Sequence, residues 1–389
     1  MRPNLSSFLN LSRWSAAFLV VIYHVRHLVL ADFKDVVNQG VLTKALYFAT
    51  GLGHEAVIVF FVISGFLVGG ITLERWRARG PDLPAYASAR VSRIYTVYLP
   101  ALLVGLLLDA IGLHWFNGSE LYTNSAQYQT LSLSTQVDAA LDLPTFIGNL
   151  FMMQGILTGH FGSNGPLWSL ANEWWYYCIF ALAAAAVTGG GHQRVVCGLA
   201  AVLISALLPP KLMLWGLIWC LGIAAHAWVK SRWWRPHPWL GMGLFVLVLA
   251  GSRFTRQGSG DAGESSMLTE FTRDLVLGVA YVAALVSATR LKAVLPFERL
   301  HAQLAEFSYT AYLCHFPGML LLVAMGNEVF GLRFLVQPDW LGLAYLVIVS
   351  GILCAYAHGF YLLTEKHTAL VRRKLDAVFR PLKGRGTQA

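Results

Sequence analysis

Apolar runs of about 17–25 residues, long enough to cross a bilayer as helices, recur along this chain from end to end. They predict ten helical spans, near 8–30, 54–73, 93–112, 167–187, 195–209, 212–229, 239–252, 273–289, 307–327 and 340–363. The spans at 195–209 and 239–252 are short, as tilted helices or ones capped by their neighbours are. "TFIGNLFMMQGIL" (145–157) is apolar but shorter still. As a full span it would invert everything after it, so it is expected to be interfacial or re-entrant. The first run reads as a retained helix, not a cleavable signal. Its apolar segment is long, Arg13 interrupts the flank and no small-residue cleavage site follows. The expected fold is an all-α, polytopic transmembrane helical bundle over 1–365, followed by a basic cytoplasmic tail at 366–389.

Charge gives the orientation. With both termini cytoplasmic, 21 of the 29 Lys and Arg fall on that side and 8 on the other, and 113–166 carries none. Lys and Arg gather on cytoplasmic loops, so both ends are expected inside and 113–166 outside. The chain is 56% hydrophobic and only 13% charged, with a mean hydropathy of +0.56. Soluble domains carry about 25% charged residues. The net charge of +9 follows from loop bias and calls for no nucleic acid. The tail "EKHTALVRRKLDAVFRPLKGRG" (365–386) is expected against anionic membrane lipids, and the Gly/Ser-rich "RQGSGDAGESS" (256–266) is expected as an outer loop. The five cysteines lie in or beside apolar segments without CxxC spacing. They read as packing residues, with no disulfide framework and no metal site expected.

Ionisable groups inside spans are costly and usually face a polar cavity or a partner. Arg13 and His24 stand eleven residues apart in "RWSAAFLVVIYHVRH" (13–27). That is close to three turns and about 16 Å along a helix, so both project from one face, Arg13 near the cytoplasmic headgroups and His24 deep. Arg13 also fits a snorkelling anchor, His24 a histidine bonded within the bundle, and His27 an interfacial residue. In "PLWSLANEWWYY" (166–177), Glu173 enters from the outside to a depth of roughly 10 Å, comparable with that of His24. A carboxylate meeting an imidazole there suits general-base chemistry. Ser169, Tyr176 and Tyr177 complete a polar stripe about Glu173, while the tryptophans suit an aromatic belt. A Glu bonded structurally to a Tyr or Trp fits the same residues. "ARVSR" (89–93) sets Arg90 and Arg93 one turn apart, as a phosphate clamp would and as loop bias alone would. "FSYTAYLCHF" (307–316) puts Ser308, Tyr312 and His315 on one face. Spans one, three, four and nine are therefore expected around a shared cavity.

Together Arg13-x10-His24, "VFFVISGFLVG" (59–69), Arg90-x-x-Arg93, "PLWSLANEWWYY" and "SYTAYLCH" (308–315) resemble, in order, the membrane acyltransferases of family three, which include O-antigen and exopolysaccharide O-acetylases. The resemblance covers nearly the whole chain. It implies a multi-pass protein of the bacterial inner membrane. Such a protein moves an acyl group, most often acetyl, from cytosolic acyl-CoA to a hydroxyl of a glycan, a lipid-linked saccharide or a related acceptor at the outer face. Carried over residue by residue, His24 and Glu173 are catalytic and Arg13, Arg90 and Arg93 bind the donor. The supporting cavity comprises Ser169, Tyr176, Tyr177, Ser308, Tyr312 and His315, and no cofactor is held permanently. The sequence departs from the family pattern twice. Trp174 stands where a second acid often follows the Glu, and Ile58 stands where an acid often precedes the paired Phe, although Glu55 is near. No soluble outer-face domain is appended, so an acyl relay would need a separate soluble partner. Two other readings use the same residues, a transporter or flippase with a buried substrate or proton pathway and a structural subunit locked by polar contacts.

Overall fold

The computed structural model of the chain describes residues 3–128, 136–257 and 266–379. The expected outer loop at 256–266 and the end of the basic tail lie largely outside the described residues. The described residues are mainly helical, with isolated bridges in place of strands. In chain order come α1 (Pro3–Val29), α2 (Val41–Ala49), α3 (Gly53–Ser64), a π-helical segment (Gly65–Gly70) leading into α4 (Ile71–Arg79), and α5 (Leu83–Trp115). Then follow α6 (Leu143–Leu150), α7 (Trp168–Thr188), α8 (Gly191–Leu207), α9 (Pro210–Lys230), α10 (Pro238–Gln257) and α11 (Met267–Ala288). The chain closes with α12 (Glu298–Glu306), α13 (Ser308–Phe330), α14 (Trp340–Leu363) and α15 (Thr368–Phe379). Several starts are set by side-chain caps. Asp82, Asp142 and Asp339 each accept from a backbone N–H one turn on, which satisfies a donor that a helix start leaves unpaired.

Among the described residues, eight helical stretches are long and apolar enough to cross a membrane. The expected count of ten therefore rests on α7, whose first turns carry Asn172 and Glu173, and on α8, which has only 17 residues. The apolar 145–157 segment does not span. It forms α6, eight residues and about 12 Å long, and then doubles back. Tyr95 and Tyr98 on α5 donate to the carbonyls of Leu150 (2.8 Å) and Asn149 (2.7 Å), and Gln154 donates back to the Tyr98 hydroxyl (3.2 Å). The same excursion repairs a backbone defect. Pro317 inside α13 has no N–H for the carbonyl of Leu313, and Asn164 supplies one instead, its side-chain amide 2.9 Å from that oxygen.

The closest helix crossing lies where the π segment meets α9. A Cβ on Gly65 would fall 1.9 Å from the Trp219 carbonyl oxygen, and one on Gly222 would fall 2.2 Å from that of Val62. The backbones touch, as small residues allow between membrane helices. Gly65→Ala would ordinarily strengthen a helix by about 1 kcal/mol. Here overpacking, which costs about 1–3 kcal/mol, should prevail, seen as a lower thermal-unfolding midpoint in detergent.

Two apolar clusters fill the interior. The larger includes Val20, Tyr312 and Cys314; the smaller, toward the α1–α2 and α13–α14 connections, includes Val21, Val25, Phe316 and Met319. His24 and His315 lie at the seam between them.

Candidate active site

A cavity of about 880 Å³ opens at the end of the bundle where α1, α5 and α13 begin. Arg13, Arg90, Arg93, Ser169, Glu173, Tyr177, Ser308 and Tyr312 all line it, so four spans do surround a shared space as their polar stripes predict. α1 is one unbroken helix against α13. Arg13 faces the cavity beside the start of α13, and His24 meets α13 two turns past that start.

At the mouth the three arginines differ in their engagements. Arg93 forms an ion pair with Glu365 and lies over the Tyr309 ring at 4.9 Å. Glu365 is buried and also accepts from the Thr310 hydroxyl (2.6 Å) and backbone N–H (3.2 Å). Arg90 lies over Tyr86 and Tyr177 at 5.8 and 5.7 Å. Among the described residues neither Arg90 nor Arg13 has an ion-pair partner. The Arg90–Arg93 clamp expected from sequence is thus divided. Arg90 retains its charge for a ligand, whereas most of Arg93's is met within the protein.

Deeper in, one chain of donors converges on Glu173. Trp219 donates to Ser64 (3.0 Å), Ser64 to the Tyr177 hydroxyl (3.0 Å), and Tyr177 to the Glu173 carboxylate (2.5 Å). Each hydroxyl spends its one proton toward the carboxylate, which holds the network in a single direction. Beyond it Tyr312 donates to the Pro166 carbonyl (2.6 Å) and accepts from Ser169 (2.6 Å). This pair closes the deep end of the cavity.

One turn past that closure stand the two histidines. His315 is 1% exposed, His24 half-buried. His315 Nδ1 is 2.8 Å from the Tyr312 carbonyl oxygen, which can only accept, so Nδ1 carries the proton. His315 Nε2 must then accept from His24 Nδ1 across 3.0 Å. That leaves the lone pair of a neutral His24 on Nε2. The order of partners fixes the tautomer.

Three expectations need correction. His24 is oriented by His315 and not by Glu173, whose bond is to Tyr177, four residues on along the same helix. Similar depth did not bring them together, because the Tyr312–Ser169 pair intervenes. His24 and His315 consequently lie outside the cavity lining. Tyr176 is not a cavity residue either. Its ring turns toward α9, where the hydroxyl donates to the Leu212 carbonyl (2.9 Å). His27 is buried at 5% exposure, not interfacial. Its Nδ1 donates to the Tyr23 carbonyl and its Nε2 accepts from Arg26, which itself packs over Tyr47 of α2. Of the two departures from the family pattern, Trp174 packs edge-on against Tyr95, and Ile58 is buried in α3, as is the nearby Glu55. None of these lines the cavity.

Sequence reasoning missed Ser64, Tyr309, Glu306, Thr310 and Glu365. Ser64 lay inside a quoted motif, between apolar neighbours. Glu365, a single carboxylate ending the last span beside basic residues, carried a signal that could have been read.

These features define an integral membrane helical protein with a cationic cavity at one end and an oriented imidazole beyond it. A profile described as an acyltransferase domain matches residues 6–359. The chain belongs to that family, the membrane acyltransferases of family three, and is a multi-pass integral membrane enzyme that transfers acyl groups. Comparison with curated proteins and with solved structures gave no match. Membership sets aside the transporter and structural-subunit readings.

Proposed function

We propose that the donor is a cytosolic acyl-CoA, acetyl-CoA foremost, and that the acceptor is a hydroxyl of a glycan or lipid-linked saccharide presented from the outer side of the inner membrane. The observation carrying this reading is the arrangement of His24, an imidazole whose Nε2 has no hydrogen-bond partner among the described residues, one turn beyond a cationic cavity. The phosphates of the donor pair with Arg13 and Arg90 at the mouth, and the thioester arm extends inward past Glu173. Contact with His24 requires Tyr312 to give up Pro166, so the Tyr312–Ser169 pair acts as a gate.

With the gate open, His24 Nε2 takes the proton of the acceptor hydroxyl as its oxygen attacks the thioester carbonyl. The new C–O bond forms a tetrahedral intermediate, and collapse breaks the C–S bond. The imidazolium returns its proton to the departing thiolate, leaving an O-acyl ester and free CoA. His315 holds His24 in the productive tautomer throughout. Glu173, bonded to Tyr177, faces the cations of the cavity and is not the partner of the base.

Mass spectrometry of surface glycans and their lipid-linked precursors, with and without the gene, tests the reading. An added mass of one acyl group is expected only with the gene. With the purified protein, acceptor-dependent release of CoA thiol should accompany it. Acylation from a donor other than a CoA thioester would overturn the proposal.

A further inference from the structure

The cavity has a wall beyond the family-matched region, which ends at residue 359. Lys366, Thr368, Ala369 and Arg372 face the same space as Arg13 and Arg90. They come from the short turn after α14 and from α15, which packs along α5. The sequence assigns this stretch to a basic tail on the membrane surface. Glu365 ties it to the bundle by bonding Arg93 of α5 and Thr310 of α13 at once.

The charges in the cavity show what that wall is for. Five cationic side chains and three carboxylates line it. Glu365 pairs with Arg93, whereas Glu173 and Glu306 accept from the neutral hydroxyls of Tyr177 and Tyr361, so the cations outnumber the carboxylates by two. Arg372 has only a loose contact with Asp376 at 3.8 Å, and Lys366 has no ion-pair partner among the described residues. The cations least engaged within the protein are therefore Arg13 on α1, Arg90 on α5, and Lys366 and Arg372 on the segment that packs along α5. A single phosphate does not need four cations drawn from three separate segments. A CoA nucleotide carries a diphosphate and a separate ribose phosphate, and it does.

We infer that α15 and the turn before it form a further wall of the donor site, with Lys366 and Arg372 binding nucleotide phosphates of acyl-CoA together with Arg13 and Arg90. Glu365 is a positioning residue that fixes this wall. The inference rests on the acyl-CoA reading above. It adds a segment outside the matched domain, and assigns residues 366–372 to donor recognition instead of to lipid.

The test uses the full chain in nanodiscs of zwitterionic lipid, with acetyl-CoA and with a short acetyl thioester that lacks the nucleotide. The charge reversal K366E/R372E should raise KM for acetyl-CoA by about tenfold to a hundredfold at low salt, as lost and inverted phosphate pairs do. The difference should shrink as added salt screens the charges. Transfer from the short thioester should be unchanged, and K366R/R372K should keep the wild-type KM. An unchanged KM for acetyl-CoA in the reversal variant overturns the inference, as does an equal loss with both donors, which would mark α15 as structural. A defect confined to nanodiscs containing anionic lipid also overturns it, since those residues would then be reading the membrane. A wild-type protein that ignores acetyl-CoA yet uses another acyl donor removes the acyl-CoA reading itself, a result visible before any variant is made.

Discussion

His24→Ala should lower acyl transfer by about 10²–10⁴-fold, the range a positioned general base supplies, while donor affinity stays near wild type. The separation follows from the geometry. His24 lies beyond the Tyr312–Ser169 closure and does not line the cavity that would hold the nucleotide. Its side chain is hydrogen-bonded to His315 of α13. Removing the ring should leave the bundle inserted and folded, at the cost of a small void at the seam between the two apolar clusters. Rates measured at saturating donor, alongside CoA binding by calorimetry, check the expectation. Near-wild-type turnover in the variant would remove His24 from the role of base.

His315 offers a second large effect with a more particular signature. Its contribution comes through the tautomer it imposes. The Tyr312 carbonyl holds the proton on Nδ1, so Nε2 must accept from His24. His315→Phe fills the space but accepts no hydrogen bond, so the His24 ring is free to rotate or to place its proton on Nε2. A fall of about 10²-fold or more in kcat is expected, with KM for the donor unchanged, because a base in the wrong tautomer binds nothing less well but reacts slowly. His315→Gln restores an acceptor oxygen and should recover much of that loss. Equal damage from both replacements, or damage appearing chiefly in KM, would show that His315 only packs.

The placements that helical arithmetic governs were legible beforehand. Arg13 and His24 project from one face because eleven residues nearly complete three turns; Arg13 lines the cavity that α13 also lines, and His24 meets α13. Ser308 and Tyr312 share a face for the same reason, and Ser169, Glu173 and Tyr177 occupy successive turns of α7 on the cavity side. Tyr176 has only one position of difference from Tyr177, which turns its ring to another helix. A stripe drawn from spacing has that width of error. The too-short 145–157 segment was also readable, since an apolar run of that length reaches only about 20 Å as a helix and cannot cross hydrocarbon of about 30 Å.

Pairings between elements were not legible. The Arg93–Glu365 bond joins residues 272 positions apart, and His24–His315 joins residues 291 apart. Nothing local selects such a partner. Glu173 and Tyr177 are an exception, lying one turn apart on the same helix, and a local hydrogen bond satisfies that carboxylate before any distant imidazole reaches it.

By itself, then, the sequence determined the membrane-embedded helical architecture, the family, and which polar side chains share a helical face. These follow from apolar length, charge placement and the period of the helix, all of them local. Only the tertiary structure decided which of those faces meet, which arginine keeps its charge for a ligand, which ring orients His24, and that α15 closes the cavity. Contacts between helices depend on their relative depth and rotation, and these are set by packing across the whole bundle at once.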